Sequence, residues 1–234
     1  MNSLDTYQQY AEASLASYET REAASRYSLF NAVKDRPITA VLDVGCGAGQ
    51  ELLPFLEKSR AICVGVDIAE GLGEVTRTVF GEEKRVSFVR SEGEGLPFAS
   101  ESFDVVLCRV ALPYMNNTRA IEEVARVLKP NGAYLLKTHA PPFYFGMIRE
   151  RMKSLNPKLL AYPLICLTGS MWHVLTGRQL QKGFWHGKET FQTLSFLERE
   201  FKRNGLRIEG YLPDNNPQTP SFLVTKSPIA EARA

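Results

Sequence analysis

Residues Val41 to Gly49 read VLDVGCGAG, an apolar run that ends in an acid and passes straight into glycines spaced G-x-G-x-G. Such a run is a buried strand, and Gly45, Gly47 and Gly49 let the chain turn sharply with no side chain between backbone and ligand. The helix expected next, Ala48 to Lys58, offers unpaired N–H groups at its start. The spacing is not the G-x-G-x-x-G that cradles a pyrophosphate, and Asp43 at the strand end suits a ligand that carries an ammonium group. Taken alone, the turn is also compatible with a generic strand–turn–helix unit for another nucleotide.

On either side of this turn, from Pro37 onward, short apolar runs alternate with amphipathic stretches, the pattern of repeated strand–helix units around a mostly parallel sheet. Strands are expected at Ile38 to Val44, Ala61 to Val66, Val86 to Arg90, Phe103 to Cys108 and Ala133 to Lys137, with helices at Glu70 to Phe80 and Asn117 to Leu128. Pro130, Asn131 and Gly132 should end the latter helix. The alternation stops at Pro141 and Pro142, and residues 143–188, broken by prolines and glycines, read as an inserted lobe of short helices and loops. A helix from Glu189 to Asn204 with Phe191, Leu194, Leu197 and Phe201 on one face, then strands at Leu206 to Tyr211 and Ser221 to Thr225, complete the pattern. The expected organisation is an N-terminal helical segment 1–36, a core 37–140, an inserted substrate lobe 141–188, a return to the core at 189–227 and a tail 228–234.

A second acid, Asp67, ends the second strand about 20 residues beyond the turn, where a carboxylate can hold two ribose hydroxyls. After the third strand, Glu92 and Gly93 in FVRSEGEGLPF offer a carboxylate and a backbone N–H for an adenine edge, with Glu94 as the alternative acid. All of these sit at the C-terminal ends of strands, where open α/β sheets bind ligands.

Together these residues resemble the class I S-adenosylmethionine-dependent methyltransferases, in particular the small-molecule branch whose third-strand region is similar to EGEGLPFASESFDVV. The resemblance covers about Pro37 to Lys137. It implies a Rossmann-like, seven-stranded α/β sheet with helices on both faces, its last strand antiparallel, N-terminal helices and an inserted helical cap. It further implies that Asp43 and the turn Gly45, Cys46, Gly47 and Gly49 face the methionine part of S-adenosylmethionine, Asp67 and Ile68 the ribose side, and Glu92 and Gly93 the adenine. Cys108 and Arg109 would line the sulfonium side through their backbone, while the Arg109 guanidinium is free to point to solvent. Members of this branch commonly carry Asp where this chain has Glu92, and often His after the fourth strand where it has Pro113 and Tyr114, so no histidine role transfers to that position. The N-terminal helix of such enzymes often crosses the cofactor, which brings Tyr10 or Tyr18 into consideration.

His139, just past the fifth strand, is the candidate general base, with a plain loop histidine as the alternative. Tyr18, Tyr114, Phe143, Tyr144 and His173 are candidate acceptor contacts, and the lobe's aromatics suit a small, partly hydrophobic molecule. Because the cofactor's methyl group is already electrophilic, alignment and exclusion of water suffice and a base is optional. No Asp, Glu and His set has metal-site spacing, and Asp214, Asn215 and Asn216 read as a turn.

With 28 basic and 26 acidic residues scattered along 234, attraction to a nucleic-acid backbone is not expected. Four separated cysteines, two of them inside strand-like runs, and an N-terminus without a basic start or apolar stretch point to the cytoplasm. Tyr162, Pro163, Gly169 and His173 interrupt the most apolar stretch, Leu159 to Leu175, so no membrane span is expected. Leu159 to Leu167 also suits a homodimer contact or a surface that meets a lipid-like substrate. Rival readings are an RNA or protein methyltransferase, a non-catalytic S-adenosylmethionine-binding module and a nicotinamide oxidoreductase.

Overall fold

Side chains that alternate along the central strands fill two separate cores, one on each face of a sheet. Leu42, Val44, Val106, Cys108, Tyr134 and Leu136 enter one cluster, with Ile121, Val124 and Phe201 from covering helices. Val41, Cys63, Val105, Leu107 and Leu135 enter the other, with Leu52, Phe55, Leu29 and Val33. A strand buried on both faces reads as a continuous apolar run, which is why Val41–Val44 and Val105–Cys108 carry almost no polar residue besides Asp43.

The computed structural model describes residues 22–153 and 156–228 and the single positions 13, 16, 18 and 20. Its strands are β1 Ala40–Val44, β2 Ile62–Asp67, β3 Val86–Arg90, β4 Phe103–Arg109, β5 Leu128–Lys137, β6 Leu206–Tyr211 and β7 Ser221–Lys226. They form one seven-stranded sheet in the order β3-β2-β1-β4-β5-β7-β6. Strands β1 to β5 pair in parallel, and β7 runs antiparallel to both β5 and β6. The order reverses at β1, so a crevice opens beyond the carboxyl ends of β1 and β4.

The helices are α1 Ala23–Arg26, α2 Ser28–Asn31, α3 Leu53–Lys58, α4 Leu72–Phe80, α5 Asn117–Val127, α6 Pro141–Met152, α7 Ala161–Thr176 and α8 Leu194–Arg203. Asn116 caps α5 by accepting the Arg119 N–H. Pro130, Asn131 and Gly132 lie within β5 rather than before it: they loop out between the pairs Phe103–Leu128 and Val105–Ala133, and Asn131 is left-handed with φ 61°.

The inserted segment is more regular than its prolines suggested. Pro141 and Pro142 occupy the first positions of α6, where no N–H is needed, and so start a helix. Pro163 falls in the first turn of α7. Gly169, mid-helix, is a contact rather than a break, since a Cβ there would lie 2.8 Å from Trp185 Cζ3. The last helix is shorter than its apolar spacing implied, starting at Leu194 because Thr193 accepts the Phe196 N–H as its cap. Phe191 therefore lies outside the helix and packs with Tyr144 and Cys166 in a small core beneath α6 and α7, while Leu194 is 45% exposed.

Candidate functional site

The turn after β1 has three left-handed glycines, Gly45, Gly47 and Gly49, with φ of 71°, 55° and 78°. The N–H groups of Gly45 and Cys46 both donate to the Val66 carbonyl, at 2.7 and 3.0 Å, which pins the turn over the end of β2. A Cβ on Gly45 would come within 2.2 Å of Ala111 Cβ, so the approach to the loop after β4 excludes any other residue. Asp67 closes the arrangement: Oδ2 accepts the Gly47 N–H at 2.9 Å and Oδ1 the Ala69 N–H at 3.1 Å. Each oxygen keeps acceptor capacity for a ligand hydroxyl.

A cleft of about 830 Å³ lies over these strand ends. Gly45, Gly47, Asp67, Ile68, Glu92 and Gly93 form one side of it, Arg109 to Ala111 with Tyr114 the middle, and Gln179, Trp185 and His186 of the inserted segment the other. Glu92 is exposed, whereas Glu94 is committed to the Asn116 N–H at 2.6 Å. A Cβ on Gly93 would meet the end of the Met115 side chain, with Sδ at 2.6 Å.

Asp43 is 1% exposed and its Oδ1 is buried without a hydrogen-bond partner. Burial and the neighbouring Glu51 push its carboxyl well above the usual range, against the pull of Arg109. An isolated buried carboxylate is costly, and a cationic ligand group nearby would relieve that cost. A folded-state pKa above the unfolded value removes stability as pH rises past the unfolded value. Asp43→Asn is therefore expected to raise the melting temperature of the ligand-free protein near pH 7 by about 3 °C. The same change should weaken S-adenosylmethionine binding about tenfold, from loss of one charge interaction of about 1.4 kcal/mol. Thermal unfolding and calorimetry on the same sample read both, and a parallel gain or loss of the two would argue against this role.

Arg109 lines the cleft, but its guanidinium does not point to solvent. It pairs with Asp214 and donates to Ser221 Oγ at 2.9 Å. Lys137 reaches the same Asp214 carboxylate at 2.8 Å, so the 214–216 turn is also an electrostatic tie between β4, β5 and the start of β7. Cys46 and Cys108 are buried thiols; burial and Asp43 push Cys108 up to about 12 and Cys46 well above its ordinary value, so neither is a thiolate nucleophile.

His139, Phe143 and Tyr144 come together, but none of the three lines the cleft. His139 is buried, stacks on Phe143 with ring centroids 3.7 Å apart, and places Nδ1 2.6 Å from Glu189 Oε2. Tyr144 and Tyr162 donate to the same carboxylate at 2.9 and 2.6 Å. Burial raises the Glu189 pKa, but the bonds from His139, Tyr162 and Tyr144 outweigh it and hold the group below the usual carboxylate range. Burial and that anion push both tyrosine hydroxyls far up, so they remain donors. His173 borders a second cavity of about 490 Å³ beside α8 and meets Phe196 edge-on at 5.1 Å. Tyr18 is buried near Glu51 and Glu57, away from the cleft lining, and Tyr10 lies outside the described residues.

Glu189, Gln179 and Gln181 were not singled out from sequence. Gln179 accepts the Asn117 N–H at 3.0 Å and donates to the Met115 carbonyl at 2.7 Å; Gln181 accepts from Asn116 at 2.8 Å. These amides lace the loop after α7 onto the loop after β4. The available signal for Glu189 was its isolation: it is the first acid after Glu150 in a basic, aromatic stretch.

Residues 42–136 match the model of a family described as "Methyltransferase domain". An uncharacterized methyltransferase of Bacillus subtilis, YcgJ, is 42% identical over 106 residues, 44% of this chain and 41% of the relative. A demethylmenaquinone methyltransferase of Corynebacterium glutamicum is 33% identical over 128 residues, 53% of each chain. The match thus spans about half the length of these curated relatives. Among solved structures, YcgJ superposes with a TM-score of 0.56 at 22% identity, covering 86% of this chain and 98% of that one. The Synechocystis magnesium protoporphyrin IX methyltransferase with bound S-adenosylhomocysteine gives 0.56 at 16%, covering 94% and 83%. Residues 42–136 thus match a methyltransferase domain, on a sheet whose strand order, glycine turn and strand-end acids are those the sequence resemblance implied.

Proposed function

We propose that the chain transfers a methyl group from S-adenosylmethionine to a small, partly hydrophobic acceptor held beneath the inserted segment. The observation that carries this reading is the continuity of the cleft, which joins the strand-end groups around Asp67 to Trp185 and His186 in one space.

In this reading Asp43 and the turn Gly45, Cys46, Gly47 and Gly49 hold the methionine part, Asp67 and Ile68 the ribose side, and Glu92 and Gly93 the adenine. Backbone at Cys108 and Arg109 borders the sulfonium. The orphaned Asp43 Oδ1 and the bare glycine cradle fit a cationic, nucleoside-bearing ligand. S-adenosylmethionine, when bound, supplies a methyl group that is already electrophilic. What remains for the protein is to orient the acceptor and exclude water, which Tyr114, Trp185 and the 179–188 loop do by closing the far side of the cleft. His139, engaged with Glu189 and outside the cleft lining, anchors the inserted segment to β5 rather than contacting the acceptor. Buried free thiols at Cys46, Cys63, Cys108 and Cys166 support a reducing, cytoplasmic setting.

Titration with S-adenosylmethionine, S-adenosylhomocysteine and NADH, followed by incubation with a panel of small hydroxylated aromatic and aliphatic acceptors, tests the reading. Binding of the first two and formation of S-adenosylhomocysteine that depends on an acceptor are expected. Preferential binding of NADH would end the proposal, and cofactor binding without turnover on any acceptor would favour a non-catalytic module.

A further inference from the structure

Helix α7 carries an exposed apolar stripe. Leu164, Met171, Trp172 and Leu175 recur at helical spacing and are 50%, 52%, 48% and 76% exposed. The opposite side, with Cys166, Gly169, Ser170 and His173, is buried. That side is moored: Ser170 Oγ accepts the Phe191 N–H at 3.0 Å, and Gly169 lies against Trp185. Phe145 and Met152 on α6 and Phe184 after α7 add further exposed apolar side chains. Solitary exposed hydrophobes are ordinary, but a ridge of this kind on one helix marks an interaction surface.

Charge says which. Between Pro141 and Lys188 there are seven Lys and Arg residues and a single acid, Glu150, although the whole chain carries 28 basic and 26 acidic residues. The basic excess of the chain is thus concentrated around α7, and everything else is net acidic. Exposed Lys158 precedes the helix, and exposed Arg178 and Lys182 follow it. An apolar ridge bracketed by cations complements an anionic lipid surface, with aliphatic and tryptophan side chains among the acyl chains and long basic side chains reaching the headgroups. The stretch Lys158–Thr176 is long and apolar enough to cross a bilayer by length and composition. The moored face instead holds the helix against Phe191 and Trp185 of the same chain.

We propose that α7 docks this protein on the surface of an anionic bilayer, in the plane of the interface. The surface faces outward while the loop after α7 borders the cleft, so docking would set the acceptor side of the cleft close to the lipid phase. The proposal is read out without turnover and stands whether or not methyl transfer is demonstrated.

The test is co-flotation of the full chain with phosphatidylcholine vesicles, with and without phosphatidylglycerol, together with tryptophan emission and the sedimentation state of the free protein. Binding that requires phosphatidylglycerol, weakens as salt is raised and shifts the emission to the blue is expected. The triple variant Leu164→Gln, Met171→Gln, Leu175→Gln, with helicity and S-adenosylmethionine affinity of the parent as controls on folding, should lose binding at least tenfold. Lys158→Glu should lose more than about fivefold on anionic vesicles. Absence of flotation with anionic vesicles at low salt, binding unaffected in the triple variant, or a dimer of the parent that the triple variant dissolves with no vesicle binding would each overturn the proposal. The last outcome would assign the ridge to a second copy of the chain.

Discussion

Asp67→Ala is expected to weaken S-adenosylmethionine binding about 100-fold. The carboxylate already organises the site: it accepts the Gly47 N–H at 2.9 Å and the Ala69 N–H at 3.1 Å. In the proposed reading it also accepts from two ribose hydroxyls. Hydrogen bonds to a charged acceptor contribute about 1.5 kcal/mol or more each, and losing two of them amounts to about 3 kcal/mol, or roughly two factors of ten in affinity. Alanine additionally removes one tie on the glycine turn, the bond from the Gly47 N–H. Asp67→Asn, which keeps a side-chain acceptor but not the charge, should fall between the two. Calorimetry with S-adenosylhomocysteine checks the series, and an Asp67→Ala protein that binds as the parent does would place the ribose elsewhere.

Glu189→Ala is expected to cost about 3–5 kcal/mol of stability, the range for removing one partner from a buried charged network. His139, Tyr144 and Tyr162 all direct polar atoms at this one carboxylate. Without it, each is left in an apolar setting shared with Phe143, Phe191 and Cys166. For a chain of this size the loss corresponds to a fall in melting temperature of about 10 °C. Glu189→Gln should cost less, since an amide oxygen still accepts. The pH dependence follows from the lowered pKa. The stabilisation is full above the ordinary carboxylate value of 4.5 and is lost as pH falls below it through the folded-state value. Acid titration followed by Trp172 and Trp185 emission should thus show the inserted segment loosening in that window, and an equally stable Glu189→Ala protein would show that the cluster is held by packing alone.

The glycine turn and the strand-end acids were legible because they are local. A glycine spacing, an acid at a strand end and a second acid one strand later lie within a few residues of the elements that position them, and alternation or continuity of apolar residues gives the strands. The same reading underestimated Arg109, since its guanidinium finds Asp214 and Ser221 more than a hundred residues away. It also broke the inserted segment at Pro141, Pro163 and Gly169. Prolines in a first helical turn are compatible with helix, and the reason for a glycine in mid-helix, Trp185 packed against it, is visible only in the fold.

Sequence by itself therefore determined the mostly parallel α/β core and the turn at Gly45 to Gly49, and set Asp43, Asp67 and Glu92 at or just past strand ends, because each follows from periodicity or spacing along a few neighbouring residues. Only the tertiary structure decided that His139 pairs with Glu189, which two tyrosines also bond, and lies outside the cleft lining, that Gln179 and Gln181 line the cleft, and that the apolar side chains of α7 point outward. Those outcomes depend on which distant segments share one buried space, where polar atoms left unpaired are costly, and no local pattern records that pairing.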